Sequence, residues 1–82
     1  SKNIFDYIEL TPDTAICEIA VPSSWVGKSI VEKAVRNRYN ISILATKKEG
    51  EIFPLPHPEH VFTKSETLII MGHKKVIHSF TY

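Results

Sequence analysis

Four histidines, two neighbouring arginines, one cysteine and a serine pair are the residues whose chemistry calls for inspection. His57-Pro58-Glu59-His60 brings two imidazoles and a carboxylate within four residues. A metal site needs convergent side chains, usually with a second shell behind them. The spacing is not the helical H-E-x-x-H pattern, and the prolines oppose a helix. Two readings stay open: a solvated loop, or a histidine lining a pocket, where it donates a hydrogen bond or stacks on a ring. His73 and His78 flank a terminal helix and read as surface residues. Ser23-Ser24 lacks a histidine nearby in sequence, and no Gly-x-Ser-x-Gly elbow is present, so the pair reads as a turn. Cys17 lies in an apolar strand, without the exposed, electropositive setting of a reactive thiol. Lys47-Lys48 reads as a solvated hairpin tip. Arg36, Asn37 and Arg38 close a helix. Two guanidiniums beside an apolar stripe can grip phosphate, although a cationic helix C-terminus is also ordinary dipole chemistry. No acid, base and nucleophile set converges, and no enzyme is expected.

The elements that position these residues follow from periodicity. Residues 4–10 alternate well enough for a short edge strand or an arm, and Thr11-Pro12-Asp13 is turn chemistry. Residues 15–21 read as a strand with Cys17, Ile19 and Val21 on one face and Ile16, Glu18 and Ala20 on the other. Pro22 ends that ladder because it has no N–H. Ser29-Ile30-Val31-Glu32 has capping-box spacing. Ile30, Val31, Ala34, Val35 and Tyr39 recur at helical intervals, which predicts one helix over 29–39, stopped by a left-handed Asn40.

Residues 41–46 form a β-branched strand. Lys47 to Gly50 is a polar hairpin turn, and 51–54 return as a short strand. Pro54, Pro56 and Pro58 hold the next segment extended. Thr63 to Glu66 is a second polar turn. Residues 67–71 are the most apolar strand, expected at the centre and ended by Gly72. Residues 74–80 form a last helix with Val76, Ile77 and Phe80 inward. The order β-α-β-β-β-α predicts an α+β domain, a sheet of about four strands with helices packed on it. Residues 1–12 are an arm or edge strand, and 13–82 are the domain proper.

Composition narrows the class. Eighty-two residues make one small domain, 43% hydrophobic and 23% charged, with little stability to spare. A net charge of +1 supplies no basic field for a nucleic acid polymer. The run Leu68 to Met71 is far too short to cross a bilayer. No signal peptide is visible. A lone cysteine excludes an internal disulfide and favours a reducing, intracellular setting.

The ordered set of these features resembles the C-terminal domain of regulator-of-potassium-conductance proteins, the TrkA C-terminal domain. The features are Ala20-Val21-Pro22, then Val26-Gly27-Lys28-Ser29-Ile30, Tyr39, the strand at 41–46, Glu49-Gly50-Glu51-Ile52, the proline segment 54–58, and Leu68 to Gly72. The resemblance spans roughly residues 13–80. Ser65-Glu66 stands where the family commonly has Gly-Asp.

The resemblance implies a regulatory, non-catalytic cytoplasmic domain. It would form a homodimer and act on a membrane ion transporter or channel, in trans or in the same chain. In one branch the ligand at the dimer interface is cyclic di-AMP, with no other cofactor. The family's ligand positions fall on Ile30, Val31, Val35, Arg36, Asn37, Ser42, Ile43, Pro58 and His60. Asn37 replaces a more usual small residue, and Ser42 a more usual asparagine. The alternative is a dimerisation module of the same fold that senses a metal ion, a metabolite or nothing.

Overall fold

A computed structural model describes residues 3–81, apart from the side chain of Phe80. Its five-stranded sheet runs β1 (Ile4–Glu9), β2 (Thr14–Ala20), β5 (Thr67–His73), β3 (Ser42–Lys48) and β4 (Glu51–Pro54) from edge to edge, every neighbouring pair antiparallel. The apolar strand β5 is central, as its composition predicts. The fifth strand is the N-terminal edge strand, which pairs with β2.

Alternation sorts the sheet into two faces. Ala15, Cys17 and Ile19 of β2 and Leu68 and Ile70 of β5 are at most 2% exposed. They meet Trp25, Val35, Ile41, Phe62 and Ile77 in a single core. On the opposite face Glu18 accepts from the Thr67 hydroxyl at 2.7 Å and pairs with Lys47 at 3.5 Å. The hairpin between β3 and β4 turns on Glu49 (φ 52°) and Gly50 (φ 78°). Positive φ at both central residues matches the twist of paired strands, which is why glycine stands there.

Lys47 and Lys48, read as the hairpin tip, are the last residues of β3 and pair with Ile52 and Glu51 of β4. Two larger expectations change as well. The helix predicted over 29–39 is broken into α1 (Ile30–Lys33) and α2 (Val35–Tyr39), because Ala34 adopts the left-handed conformation (φ 47°, ψ 48°). A straight helix keeps one stripe on one side; the break lets Val35 reach the core while Val31 stays 62% exposed. Asn40 (φ 54°) is the left-handed stop expected after α2.

Gly72 does not end β5. The strand continues to His73, with Gly72 opposite Ala15 of β2. Its missing side chain makes room for Ile41, whose Cγ2 would lie 2.6 Å from an added Cβ. The last helix, α3 (Lys74–Thr81), then follows directly. It buries Ile77 and packs Val76 against the core, while the Phe80 side chain lies outside the described residues.

Candidate functional site

The run from Pro22 to Ile30 organises the site. A single 3-10 turn, Ser23–Trp25, sinks the Trp25 ring between Tyr39 and Phe62, each 5.3 Å away between ring centroids. Aromatic pairs at this spacing add to simple burial, so Trp25 ties α2 and the proline segment to the same core. Gly27 (φ 86°) then reverses the chain. Ser29 caps α1 in the expected box: its hydroxyl accepts from Glu32 N–H at 3.1 Å, and its own N–H donates to Glu32 Oε1 at 3.0 Å. That backbone hydrogen bond holds the Glu32 carboxyl below its ordinary pKa.

Residues 27–31 lie antiparallel to residues 58–62 as a two-stranded clasp. Gly27 N–H donates to Phe62 O (2.9 Å) and Phe62 N–H to Lys28 O (2.9 Å). Ile30 N–H donates to His60 O (3.0 Å) and Val31 N–H to Pro58 O (2.9 Å). The orphan donors of a helix start are thus satisfied by the proline segment.

The clasp, the start of α2 and the start of β3 enclose a cleft of about 310 Å³. Ile30, Val35, Ile41 and Ile43 make its apolar bed, Pro56 and Pro58 one wall, and Arg36 and Ser42 its polar groups. Among the described residues no carboxylate forms an ion pair with Arg36. Arg38 points elsewhere: its guanidinium carbon sits 5.7 Å from the centre of the Tyr39 ring. A guanidinium beside apolar lining residues offers an anion and a flat apolar ring a place together.

Of the residues predicted for the ligand, Ile30, Val35, Arg36, Ser42, Ile43 and Pro58 share this cleft. Val31 and Asn37 do not line it and are exposed. His60 lies on the other side of the proline wall. It lines a second, larger cleft of about 680 Å³ with Lys48, Phe53, Leu55 and His57, and Pro56 is common to both. Its Nε2 lies 2.9 and 3.0 Å from the two carboxylate oxygens of Glu66, whose side chain is 5% exposed.

Ile41, Pro56, Phe62 and Glu66 went unnoticed as site residues. The proline run held a signal for Pro56, and the apolar pair Val61-Phe62 after it held one for Phe62. Glu66 reads as one charge in a polar turn, with nothing local to mark its burial.

Chemistry elsewhere is sparse. Burial pushes the Cys17 thiol up to about 11, which suppresses its thiolate. Among the described residues no group of three or more His, Cys, Asp or Glu is placed to hold a metal ion, and no helix is long and apolar enough to cross a membrane.

With this geometry in place, comparison with known proteins is decisive for the family. The TrkA-C domain matches residues 15–81. The chain belongs to the TrkA-C domain family. It is 38% identical over 79 residues to the Ktr system potassium uptake protein A of Bacillus subtilis (strain 168), an alignment that covers 96% of this chain and 36% of that protein. The chain therefore spans about a third of the length of that relative. Among solved structures, the RCK C domain of the potassium transport protein KtrA in complex with cyclic di-AMP superposes with a TM-score of 0.74. It is 29% identical, covering 80% of this chain and 78% of that one. The GsuK RCK domain superposes with a TM-score of 0.78 at 26% identity, covering 98% of this TrkA-C chain and 18% of the GsuK chain.

Proposed function

We propose that this TrkA-C domain is a regulatory, non-catalytic module of a potassium transport system, on the cytoplasmic side, and that it binds cyclic di-AMP between two copies of itself. The observation that carries the proposal is the cleft that Arg36, without an ion-pair partner among the described residues, lines together with Ile30, Val35, Ile43 and Pro58. The solved complex of the KtrA RCK C domain with cyclic di-AMP supports the choice of ligand. The likeness to the Ktr uptake protein A supports the choice of transport system.

The ligand's own symmetry fits the reading. Cyclic di-AMP has two equivalent adenines and two equivalent phosphates. A cleft of about 310 Å³ is at the lower end for a small-molecule site and holds half of such a ligand. Two clefts facing each other across a two-fold axis present each half with the same groups. Arg36 meets a phosphate, the apolar bed covers an adenine, and Ser42 supplies a hydroxyl where related domains more often have an amide.

Regulation then follows from differential binding. A ligand seated between two copies stabilises the dimer geometry that brings the clefts together. The transporter feels only the difference between that geometry and its alternatives. A ligand that bound all geometries equally would regulate nothing.

Calorimetry of the 82-residue chain with cyclic di-AMP tests the proposal. The expected result is saturable binding of one ligand per two chains, weakened about tenfold or more in Arg36→Ala through loss of a charge-assisted contact. Absence of binding at high micromolar ligand rejects it. A ligand-independent dimer under those conditions would instead leave a plain dimerisation module.

A further inference from the structure

Glu66 is a buried carboxylate that the family comparison leaves without a role. It stands just before β5, and its side chain is 5% exposed. Burying a carboxylate is costly unless its oxygens are hydrogen-bonded or paired. Here Thr63 N–H donates to Oε2 at 2.8 Å. The His60 ring lies against both oxygens through Nε2, at 2.9 and 3.0 Å. Carboxylate oxygens are acceptors, so this geometry suits a hydrogen on Nε2.

His60 is held at its other end as well. Its carbonyl accepts from Ile30 N–H at 3.0 Å, and its ring stands edge-on to Phe62, 6.1 Å between centroids at 84°. Two residues earlier, Pro58 O accepts from Val31 N–H, and Pro58 is a wall of the Arg36 cleft. A carboxylate anchored at the start of the central strand is thus linked through one imidazole to the strand of the clasp that shapes the cleft.

From this linkage we infer that Glu66 is a positioning residue for the Arg36 cleft, acting through His60. As a statement about a ligand site, the inference rests on the reading of that cleft given above. The buried acid does not face the Arg36 cleft. It fixes His60, and His60 fixes the wall.

Two measurements on this chain separate the role from general stability. In Glu66→Gln, hydrogen exchange at the Ile30 and Val31 amides is expected to accelerate about tenfold or more, with the β2–β5 ladder unchanged, as local opening predicts. The His60 ring nitrogens are expected to report an Nε2–H facing Glu66 in the native chain and to shift toward a mixture in the variant. Unchanged exchange at both amides overturns the inference. So does acceleration across the whole sheet, because that marks a global loss.

The second measurement is a double-mutant cycle on cyclic di-AMP affinity, with His60→Gln as partner because it removes the imidazole without emptying the site. Glu66→Gln alone is expected to weaken binding about tenfold, but by less than about twofold in the His60→Gln background, because the route is already cut. Equal losses in both backgrounds overturn action through His60. If the native chain binds no cyclic di-AMP, the ligand reading fails by itself. The exchange experiment then decides alone whether Glu66 positions the wall.

Discussion

The sheet and the cleft are built by opposite means. In the sheet, β2, β5 and β3 pair residue after residue, and one face buries Ala15, Cys17, Ile19, Leu68 and Ile70. Its order is repetitive: each side chain repeats the environment of the residue two positions away. The cleft repeats nothing. Its lining residues follow a left-handed Ala34, a left-handed Asn40 and a left-handed Leu55, and they are joined to a clasp of separate hydrogen bonds. Left-handed backbone costs a non-glycine residue about 1–2 kcal/mol, and such strain persists only where surrounding structure enforces it. The difference teaches that the regular half of the molecule supplies the stability that holds the irregular half in shape.

The comparison can be broken or sharpened, beginning with the largest effect. Ile70→Ala empties a fully buried position at the centre of the sheet and is expected to cost about 2–5 kcal/mol in urea unfolding. A smaller loss would mean that the sheet is not the main source of stability. Gly72→Ala tests one of the places where the two halves touch. Its new Cβ meets Ile41, which lines the cleft. It is expected to cost about 1–3 kcal/mol by overpacking and to weaken ligand binding as well. Lost stability with intact binding would show that the halves are independent.

Ser29→Ala removes the cap that starts α1. A loss of about 1 kcal/mol is expected in thermal unfolding, with a larger proportional effect on affinity than Ile70→Ala, because Ile30 and Val31 follow it directly. Smallest and opposite in sign is Ala34→Gly. Glycine adopts φ 47° without the Cβ penalty, so stability is expected to rise by up to about 1 kcal/mol. A loss instead would mean that the break is not strained, and the contrast drawn above would weaken.

Much of the fold was legible because its signals are local. The alternation in β2, the Glu49-Gly50 turn, the Ser29–Glu32 cap and the apolar run of β5 each involve neighbours two to four residues apart. The grouping of Arg36 with Ser42 and Pro58 was legible only through family resemblance. No periodicity joins a helix to a strand start and a proline segment.

The sequence alone settled which segments carry strands, that β5 is central and that the single cysteine is a core residue. Tertiary structure alone decided that the helix breaks at Ala34, that Gly72 continues a strand to receive Ile41, and that His60 turns to Glu66 instead of toward Arg36. The reason is range. Propensity and pattern act over a turn or a pleat, whereas these three outcomes depend on groups brought together only when the core closes. There burial makes an unfilled space or an unpaired carboxylate too costly to leave.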